Sequence, residues 1–189
     1  MTLHPTLFML LLGCKPAGRH IEQHDVFFGI GSSLKELVPA IHAFWPEAKK
    51  NIHLDAWREV NKVQKYTIRV QAKTEITDAN NIRKLFFINL GGYRKDAFEE
   101  QHYKMLVVAN TAEEAKALAK KETFYKETGF KGASAHIDDT YGIDADDIYS
   151  VEEILPEIFS DKYSIEISEE ESEHAEDAVH LGYLPLWKI

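Results

Sequence analysis

The sequence has little cysteine, little positive charge and no long apolar run, and each shortage excludes a class of protein. Cys14 is the only cysteine among 189 residues, so no disulfide can form within the chain, as is usual in a reducing compartment. The 22 Lys and Arg against 31 Asp and Glu give a formal net charge of −9, which argues against nucleic-acid binding because phosphate requires a basic surface. No apolar stretch approaches the roughly 18 residues that cross a bilayer. We therefore expect a cytoplasmic protein that binds neither membrane nor nucleic acid.

The negative charge is divided unevenly along the chain. Residues 1–78 carry ten Lys or Arg and eight Asp or Glu, a net of +2, so residues 79–189 carry −11. The densest acidic stretch runs from Glu166 to Asp177, a composition typical of a solvated loop. The asymmetry predicts that the second half presents an acidic face.

An apolar run near the start of the chain, Leu7–Leu12, is followed by Gly13 and Cys14, as at the lipidation site of bacterial lipoproteins. No Lys or Arg precedes the run, and it is shorter than the roughly 7–15 residues typical of a signal peptide. The same pattern returns 78 positions later, in residues 85–92. We therefore interpret the run as the first strand of a repeated unit.

The repeat extends well beyond these strands. An ungapped alignment of residues 7–37 with residues 85–115 contains eight identities in 31 positions, among them a Glu-Gln-His triplet that both segments share. With insertions in the second segment, His53-Leu54-Asp55 aligns with His136-Ile137-Asp138, and residues 65–70 align with residues 162–167. These matches predict two diverged copies of one unit.

The predicted unit has the element order β-β-α-β-β. In both copies apolar runs that end at Gly indicate strands, and a Ser/Thr-x-x-Glu capping box precedes a helical pattern. We expect an α+β protein of two tandem β-β-α-β-β repeats related by a pseudo-twofold axis. Each repeat would be of β-grasp (ubiquitin-like roll) type, with a strand that returns parallel to the first. A split or strand-swapped arrangement between the copies is the alternative.

The predicted boundaries follow from this repeat. Residues 1–78 form the first repeat, and residues 79–168 form the second, with an inserted helix near residues 144–159. Residues 169–189 form an acidic loop and an apolar C-terminal tail. Because this tail is too apolar to remain in solvent, we expect it to pack on the protein or on a second copy, which makes a homodimer one expectation.

Three segments carry a resemblance to a known family: residues 13–25, residues 44–46 and residues 53–58. They resemble a small bacterial family of a domain of unknown function, which has one or two copies of the domain in each chain. The resemblance implies a repeated domain and a bacterial, cytosolic origin. It implies no activity, substrate or cofactor.

The strongest candidate site combines the repeated triplet with the His-x-Asp pairs. Imidazole and carboxylate groups at this spacing can ligate a metal or transfer protons. Residues two apart on a strand share a face, so each His-x-Asp pair would point the same way. A purely structural alternative is that the Glu and His of the triplet close the hairpin loop by hydrogen bonds to its backbone. The candidate residues are Glu22, His24, His53 and Asp55 in the first copy, and Glu100, His102, His136 and Asp138 in the second.

Cys14 is a separate candidate, because nearby Lys15 and Arg19 could activate its thiol. A small packed residue at a strand end is the alternative.

These observations predict a non-catalytic binding or interaction protein. The alternative is a metal-dependent or acid–base enzyme that uses the repeated His, Glu and Asp residues. The sequence identifies no cofactor and no small-molecule ligand.

Overall fold

A computed structural model describes residues 4–73, 83–93, 98–121, 144–169 and 177–189. The chain is a mixed α+β protein, and its sheets are built from antiparallel strand pairs. It divides into two compact units, of which unit 1 contains residues 1–78 and 154–189 and unit 2 contains residues 79–153.

Within the described residues the strands, in chain order, are β1 (Thr6–Cys14), β2 (Gln23–Gly31), β3 (His53–Glu59), β4 (Lys62–Val63), β5 (Tyr66–Ala72), β6 (Lys84–Tyr93), β7 (Glu100–Ala109), β8 (Asp144–Ser150), β9 (Tyr163–Ser168) and β10 (His180–Pro185). The helices are α1 (Leu34–Phe44), α2 (Ala112–Lys121), α3 (Val151–Ile154) and α4 (Glu157–Ser160), with 3₁₀ turns at Pro46–Asn51 and Leu186–Lys188.

Unit 1 contains a four-stranded sheet in the order β10-β3-β1-β2 and a second sheet in the order β4-β5-β9. Side chains of β1 are buried along most of its length, because β1 is a central strand and α1 packs against its neighbour β2. The largest fully buried side chains of the unit are Leu7, Leu10, Leu12, Phe27, Phe28, Leu37, Ile41, Leu54 and Val60.

Unit 2 contains a three-stranded sheet in the order β7-β6-β8, covered by α2. Alanines on one face of α2, Ala115 and Ala119, allow the helix to approach the sheet closely. The core of unit 2 consists of these two alanines together with Phe86, Ile88, Leu90, Val107 and Ala109.

The predicted parallel return is wrong, because β3 pairs with β1 in the antiparallel direction. The hairpin reverses the chain once, and helix α1 then carries it back across the sheet. As a result β3 runs parallel to β2 and lies on the far side of β1. The direction of β3 relative to β1 therefore differs from that expected for a β-grasp roll.

The first hairpin of each unit has the same pairing pattern, with corresponding residues 78 positions apart. In unit 1 Gly13 pairs with His24. In unit 2 Gly91 pairs with His102, and each of these residues lies 78 positions after its counterpart in unit 1. The pairing of β1 with β3 shifts between Leu11 and Leu12, and that of β6 with β8 shifts at the equivalent place, between residues 89 and 90.

This register corrects two predictions about the second half of the chain. Asp144 pairs with Gly91 as His53 pairs with Gly13, so β8 is the strand equivalent to β3. The position equivalent to His53 is thus Asp144, and the predicted equivalence with His136 is wrong. Within the segment predicted to hold an inserted helix, residues 144–150 instead form a strand that is the third of the unit 2 sheet, and the short helices α3 and α4 follow it.

Both long helices begin at a capping interaction. In α2 the Glu114 N–H donates to Thr111 Oγ1 over 3.1 Å, and the Asn110 N–H donates to Glu114 Oε2 over 2.9 Å, which confirms the predicted capping box. In α1 the Ser33 side chain makes no cap hydrogen bond. Instead the Ser32 hydroxyl and N–H both donate to Glu36, and these bonds lower the pKa of the Glu36 carboxyl.

The two caps make a matched pair for mutagenesis. We expect Thr111→Ala to lower the free energy of unfolding by about 1 kcal/mol, because it removes a cap hydrogen bond. Ser33→Ala should change it by less than half as much, because the Ser33 hydroxyl caps nothing. Urea unfolding measures both, and equal losses would contradict the assignment.

The apolar C-terminal tail contains strand β10, which pairs with β3. Leu186 is buried, whereas Leu181, Tyr183 and Trp187 remain largely exposed. No helix in the described part of the chain is long and apolar enough to cross a membrane.

Candidate functional site

Three adjacent strands bring the candidate residues of the first copy together. Gly13, near the end of β1, pairs with His24 on one side and with His53 on the other. Gln23 and His24 of the Glu-Gln-His triplet therefore lie in strand β2, and Glu22 immediately precedes the strand. Side chains on β2 and β3 can meet above Gly13 because glycine has no side chain of its own.

The bulge in β3 positions Asp55 beside His53. Leu12 pairs with Leu54 and Leu11 with Ala56, so Asp55 is the extra residue opposite β1. Leu54 is fully buried in the core, while Asp55 and His53 both point to the site. The prediction that these two residues share a face is confirmed.

Four side chains converge at this point. His53 Nε2 lies 3.0 Å from Glu22 Oε1 and 3.4 Å from Asp55 Oδ1. His24 Nε2 lies 3.0 Å from Asp55 Oδ2 and 3.7 Å from Glu22 Oε2. One donor atom each from Glu22, His53 and Asp55 lies within 4.8 Å of the others, close enough to hold a metal ion.

His53 is the buried member of this group, with its side chain 4% exposed. Its Nδ1 lies 3.1 Å from the backbone carbonyl oxygen of Asn51, which can only accept a hydrogen bond, so Nδ1 carries a proton. Its Nε2 is buried and, among the described residues, has no hydrogen-bond partner in a suitable direction. Asp55 Oδ2 is also buried and also has no hydrogen-bond partner among the described residues. These two polar atoms lie close to oppositely charged or polar groups, yet they make no hydrogen bond of suitable geometry with them.

Gly13 forms the floor of the site. A Cβ atom at this position would lie 2.5 Å from Asp55 Oδ2 and still closer to His53 Nε2. Real Cβ atoms essentially never approach other heavy atoms so closely. The space above Gly13 is therefore the space in which the two side chains meet.

Strand β10 covers the His53 ring from the other side. Tyr183 lies over the imidazole with the ring centroids 4.3 Å apart and the planes tilted by 40°. Along the same strand pair, His180 stacks on Trp57 at 3.9 Å and 10°. Aromatic contacts of this kind help to fix the orientation of the rings.

Cys14 is fully buried next to the site, and its thiol lies 3.7 Å from the Ala48 carbonyl oxygen. Burial raises the pKa of the Cys14 thiol, and the negative charge of Glu22 raises it further. Both effects disfavour the thiolate, so these surroundings support the packed-residue alternative over an activated nucleophile. The reactivity of Cys14 stays a prediction.

The candidate residues of the second copy do not join this group in the part of the chain that the structure describes: Glu100 and His102 belong to unit 2. In unit 2, His102 Nε2 lies 3.7 Å from Glu100 Oε2. His136 and Asp138 lie outside the described residues.

Sequence reasoning missed two contributors, Gly13 and Tyr183. The identity of Gly13 with Gly91 in the repeat alignment was a signal for the first, because an unvaried glycine at a strand end suggests a close approach. No local pattern identified Tyr183, since its role depends on the pairing of β10 with β3.

Comparisons with known proteins agree with the fold and leave the activity open. Residues 19–70 match the model of a family described as Domain of Unknown Function (DUF1543), and this match includes Glu22, His24, His53 and Asp55. No curated protein matches the chain. The chain is similar to a solved structure, "Crystal structure of a protein Il1583 from Idiomarina loihiensis", with a TM-score of 0.65 and 24% identity over 96% of this chain and 97% of that one. This likeness shows a shared fold, and neither description names an activity.

Proposed function

We propose that the protein is a non-catalytic metal-binding protein whose unit 1 holds one divalent transition-metal ion of the zinc class. Glu22, His53 and Asp55 are the ligands in this proposal. The observation that carries it is the buried His53 Nε2, which faces two carboxylates without a hydrogen-bond partner among the described residues.

In this proposal His53 adopts the tautomer that metal ligands use, with the proton on Nδ1. A neutral imidazole that donates from Nδ1 presents a lone pair at Nε2. Metal-ligating histidines almost always donate their other ring N–H in this way, often to a backbone carbonyl as His53 does to Asn51. A lone pair that faces carboxylate oxygens is repelled by them unless a positive charge, either a proton on Nε2 or a metal ion, lies between. In this proposal the metal ion supplies that charge.

The spacing of the donor atoms agrees with a zinc site. For metal–ligand bonds of about 2.0–2.1 Å in a tetrahedron, neighbouring ligand atoms are about 3.3 Å apart. The two His53 distances, 3.0 and 3.4 Å, are close to this value. The imidazole ligand favours zinc and similar transition metals over magnesium or calcium, which prefer oxygen ligands.

His24 completes the surroundings of the ion. Its Nε2 approaches Asp55 Oδ2 to 3.0 Å, and the side chain is 42% exposed. In this proposal His24 is a neighbour that holds Asp55 in place, so its removal weakens binding less than the removal of His53. The exposed edges of Glu22 and His24 leave the ion a path from solvent.

Metal titration of the purified, untagged protein tests the proposal. We expect calorimetry to show tight Zn²⁺ binding that His53→Ala weakens by more than about a hundredfold, beyond the 10–100-fold typical of outer-shell partners. At a Zn²⁺ concentration of 100 times Kd, binding should stabilise the wild type by about 2.7 kcal/mol.

His42→Ala is the matched control, because His42 lies exposed on α1, and it should bind Zn²⁺ like the wild type. Mg²⁺ should not compete at equal concentration. The proposal is wrong if the wild type does not bind Zn²⁺ or if His53→Ala binds it equally well.

A second candidate is an acid–base enzyme, and the observation that favours it is the pairing of solvent-accessible His24 with Asp55. A carboxylate beside an imidazole is a common general-base arrangement. Turnover that persists in the presence of a strong chelator would favour this candidate.

The tandem organisation forms part of the proposal. It is supported by the shared register of the two sheets at a spacing of 78 residues. The pairing of β5 with β9 gives further support, because Arg69 and Glu166 are equivalent in the repeat alignment and pair with each other. Such a ladder is expected for a local pseudo-twofold axis and a strand exchange between the copies. Self-association through the exposed C-terminal side chains stays a prediction, as does a bacterial, cytoplasmic origin.

A further inference from the structure

We infer that the C-terminal segment of residues 180–186, here the C-terminal strap, is part of the metal site, with Tyr183 as the residue that positions His53. This inference rests on the proposed metal site and adds to it a means by which occupancy of the site is coupled to docking of the strap.

The strap is held to β3 beside the ligand. Pro185 pairs with His53 and Leu184 with Leu54, and Leu186 is buried immediately beyond them. At the other end His180 stacks on Trp57. Both ends are therefore fastened, and the part between them lies over the site.

A bulge in the strap aims Tyr183 at the imidazole. The pairing with β3 shifts between Leu181 and Leu184, so Gly182 and Tyr183 have no partner of their own on β3. Gly182 has a φ of +129°, a conformation that residues with a side chain rarely adopt. Bulges commonly redirect a side chain at a functional site. Here the redirected ring is the one that covers His53.

Tyr183 contacts the ring of an almost fully buried His53 while remaining largely exposed itself. Its own side chain remains largely in solvent, with the residue 69% exposed, whereas His53 is 3% exposed. A tyrosine with so much exposed surface gains little from burial, so core packing does not explain its position. Its contact with the imidazole instead limits rotation of the His53 ring and keeps Nε2 directed at the carboxylates.

Coupling between the ion and the strap follows by reciprocity. If the strap stabilises the ring orientation that binds metal, bound metal must stabilise the docked strap by the same factor. Metal occupancy is thereby communicated to an exposed apolar strand at the edge of the sheet.

Zn²⁺ titration of the full chain tests the inference with three variants. We expect Tyr183→Ala to weaken Zn²⁺ binding about 10–100-fold, as for other residues that orient a ligand. Tyr183→Phe keeps the ring and should bind within about twofold of the wild type, because the contact is made by the ring face. Val179→Ala removes an exposed apolar side chain immediately outside the strap and should not alter the affinity.

Two further readouts separate positioning from a general loss of stability. The visible absorption spectrum of bound Co²⁺ should change in Tyr183→Ala and remain unchanged in Val179→Ala. In the wild type, Zn²⁺ should slow amide hydrogen exchange in residues 181–186, and it should not do so in His53→Ala. The exchange measurement needs no Tyr183 variant, so it decides the matter even if Tyr183→Ala does not fold.

The outcomes distinguish the inference from the function on which it rests. Wild-type protein that binds Zn²⁺, with unchanged affinity in Tyr183→Ala and no protection of the strap, overturns the inference and leaves the metal site intact. Wild-type protein that binds no Zn²⁺ overturns the proposed function itself.

Discussion

Gly13→Ala is expected to abolish tight Zn²⁺ binding. The new methyl group would occupy the place where His53 Nε2 and Asp55 Oδ2 approach each other. The imidazole lies between Gly13 and the Tyr183 ring, so it cannot keep its position when the methyl group is present. We expect a loss of affinity of more than about a hundredfold, and a decrease of about 1–3 kcal/mol in the metal-free stability, as for other overpacked sites.

A second glycine in the same sheet provides the matched control. A Cβ at Gly29 would meet Phe27 at 2.9 Å and Leu37 at 3.0 Å, in the core and away from the ligands. Gly29→Ala should therefore lose stability in the same range and retain its Zn²⁺ affinity while folded. Calorimetry and urea unfolding in chelator measure both effects. Equal Zn²⁺ affinities for Gly13→Ala and the wild type would show that the ion is not bound above Gly13.

Asp55→Asn is expected to move metal affinity and metal-free stability in opposite directions. The amide removes one negative charge from a group in which Glu22 and Asp55 both face His53. It also adds an N–H donor beside His53 Nε2, which has no hydrogen-bond partner among the described residues. We expect the metal-free protein to gain about 1 kcal/mol, the typical worth of one hydrogen bond, while Zn²⁺ affinity falls by more than about a hundredfold.

The opposite signs make this prediction specific for a ligand site. Substitution of a residue with a purely structural role would lower the free energy of unfolding. Groups arranged to bind an ion repel one another when the ion is absent, so removal of one charge raises it. Urea unfolding with and without chelator measures the two effects. Asp25→Asn is the control, because Asp25 lies on the same strand as His24, is exposed, and is bonded only to its neighbour's N–H in the contacts described here. A lower metal-free stability in Asp55→Asn would contradict the arrangement of opposed acceptors.

The local parts of the fold were predictable from the chain. Strands β1, β2 and β6 follow from apolar runs, and α2 follows from Thr111 and Glu114, because these signals depend on residues within a few positions of one another. The direction of β3 was not predictable in this way. A helical connection can be followed by a strand that runs either parallel or antiparallel to the first strand, and the direction depends on packing over the whole sheet.

The candidate site shows the same division. The sequence by itself determined which side chains recur and that two hairpins spaced by 78 residues would be alike, since both follow from local spacing. Only the tertiary structure decided that His24 and His53 flank Gly13, that Asp144 and not His136 takes the position equivalent to His53, and that Tyr183 covers the imidazole. Strand pairing joins residues as far apart in the chain as His53 and Pro185, and this pairing brings Tyr183 over the imidazole. No local pattern specifies which edges meet. The missing side chain at Gly13 matters only because β2 and β3 lie on either side of it and place their side chains in the space it leaves.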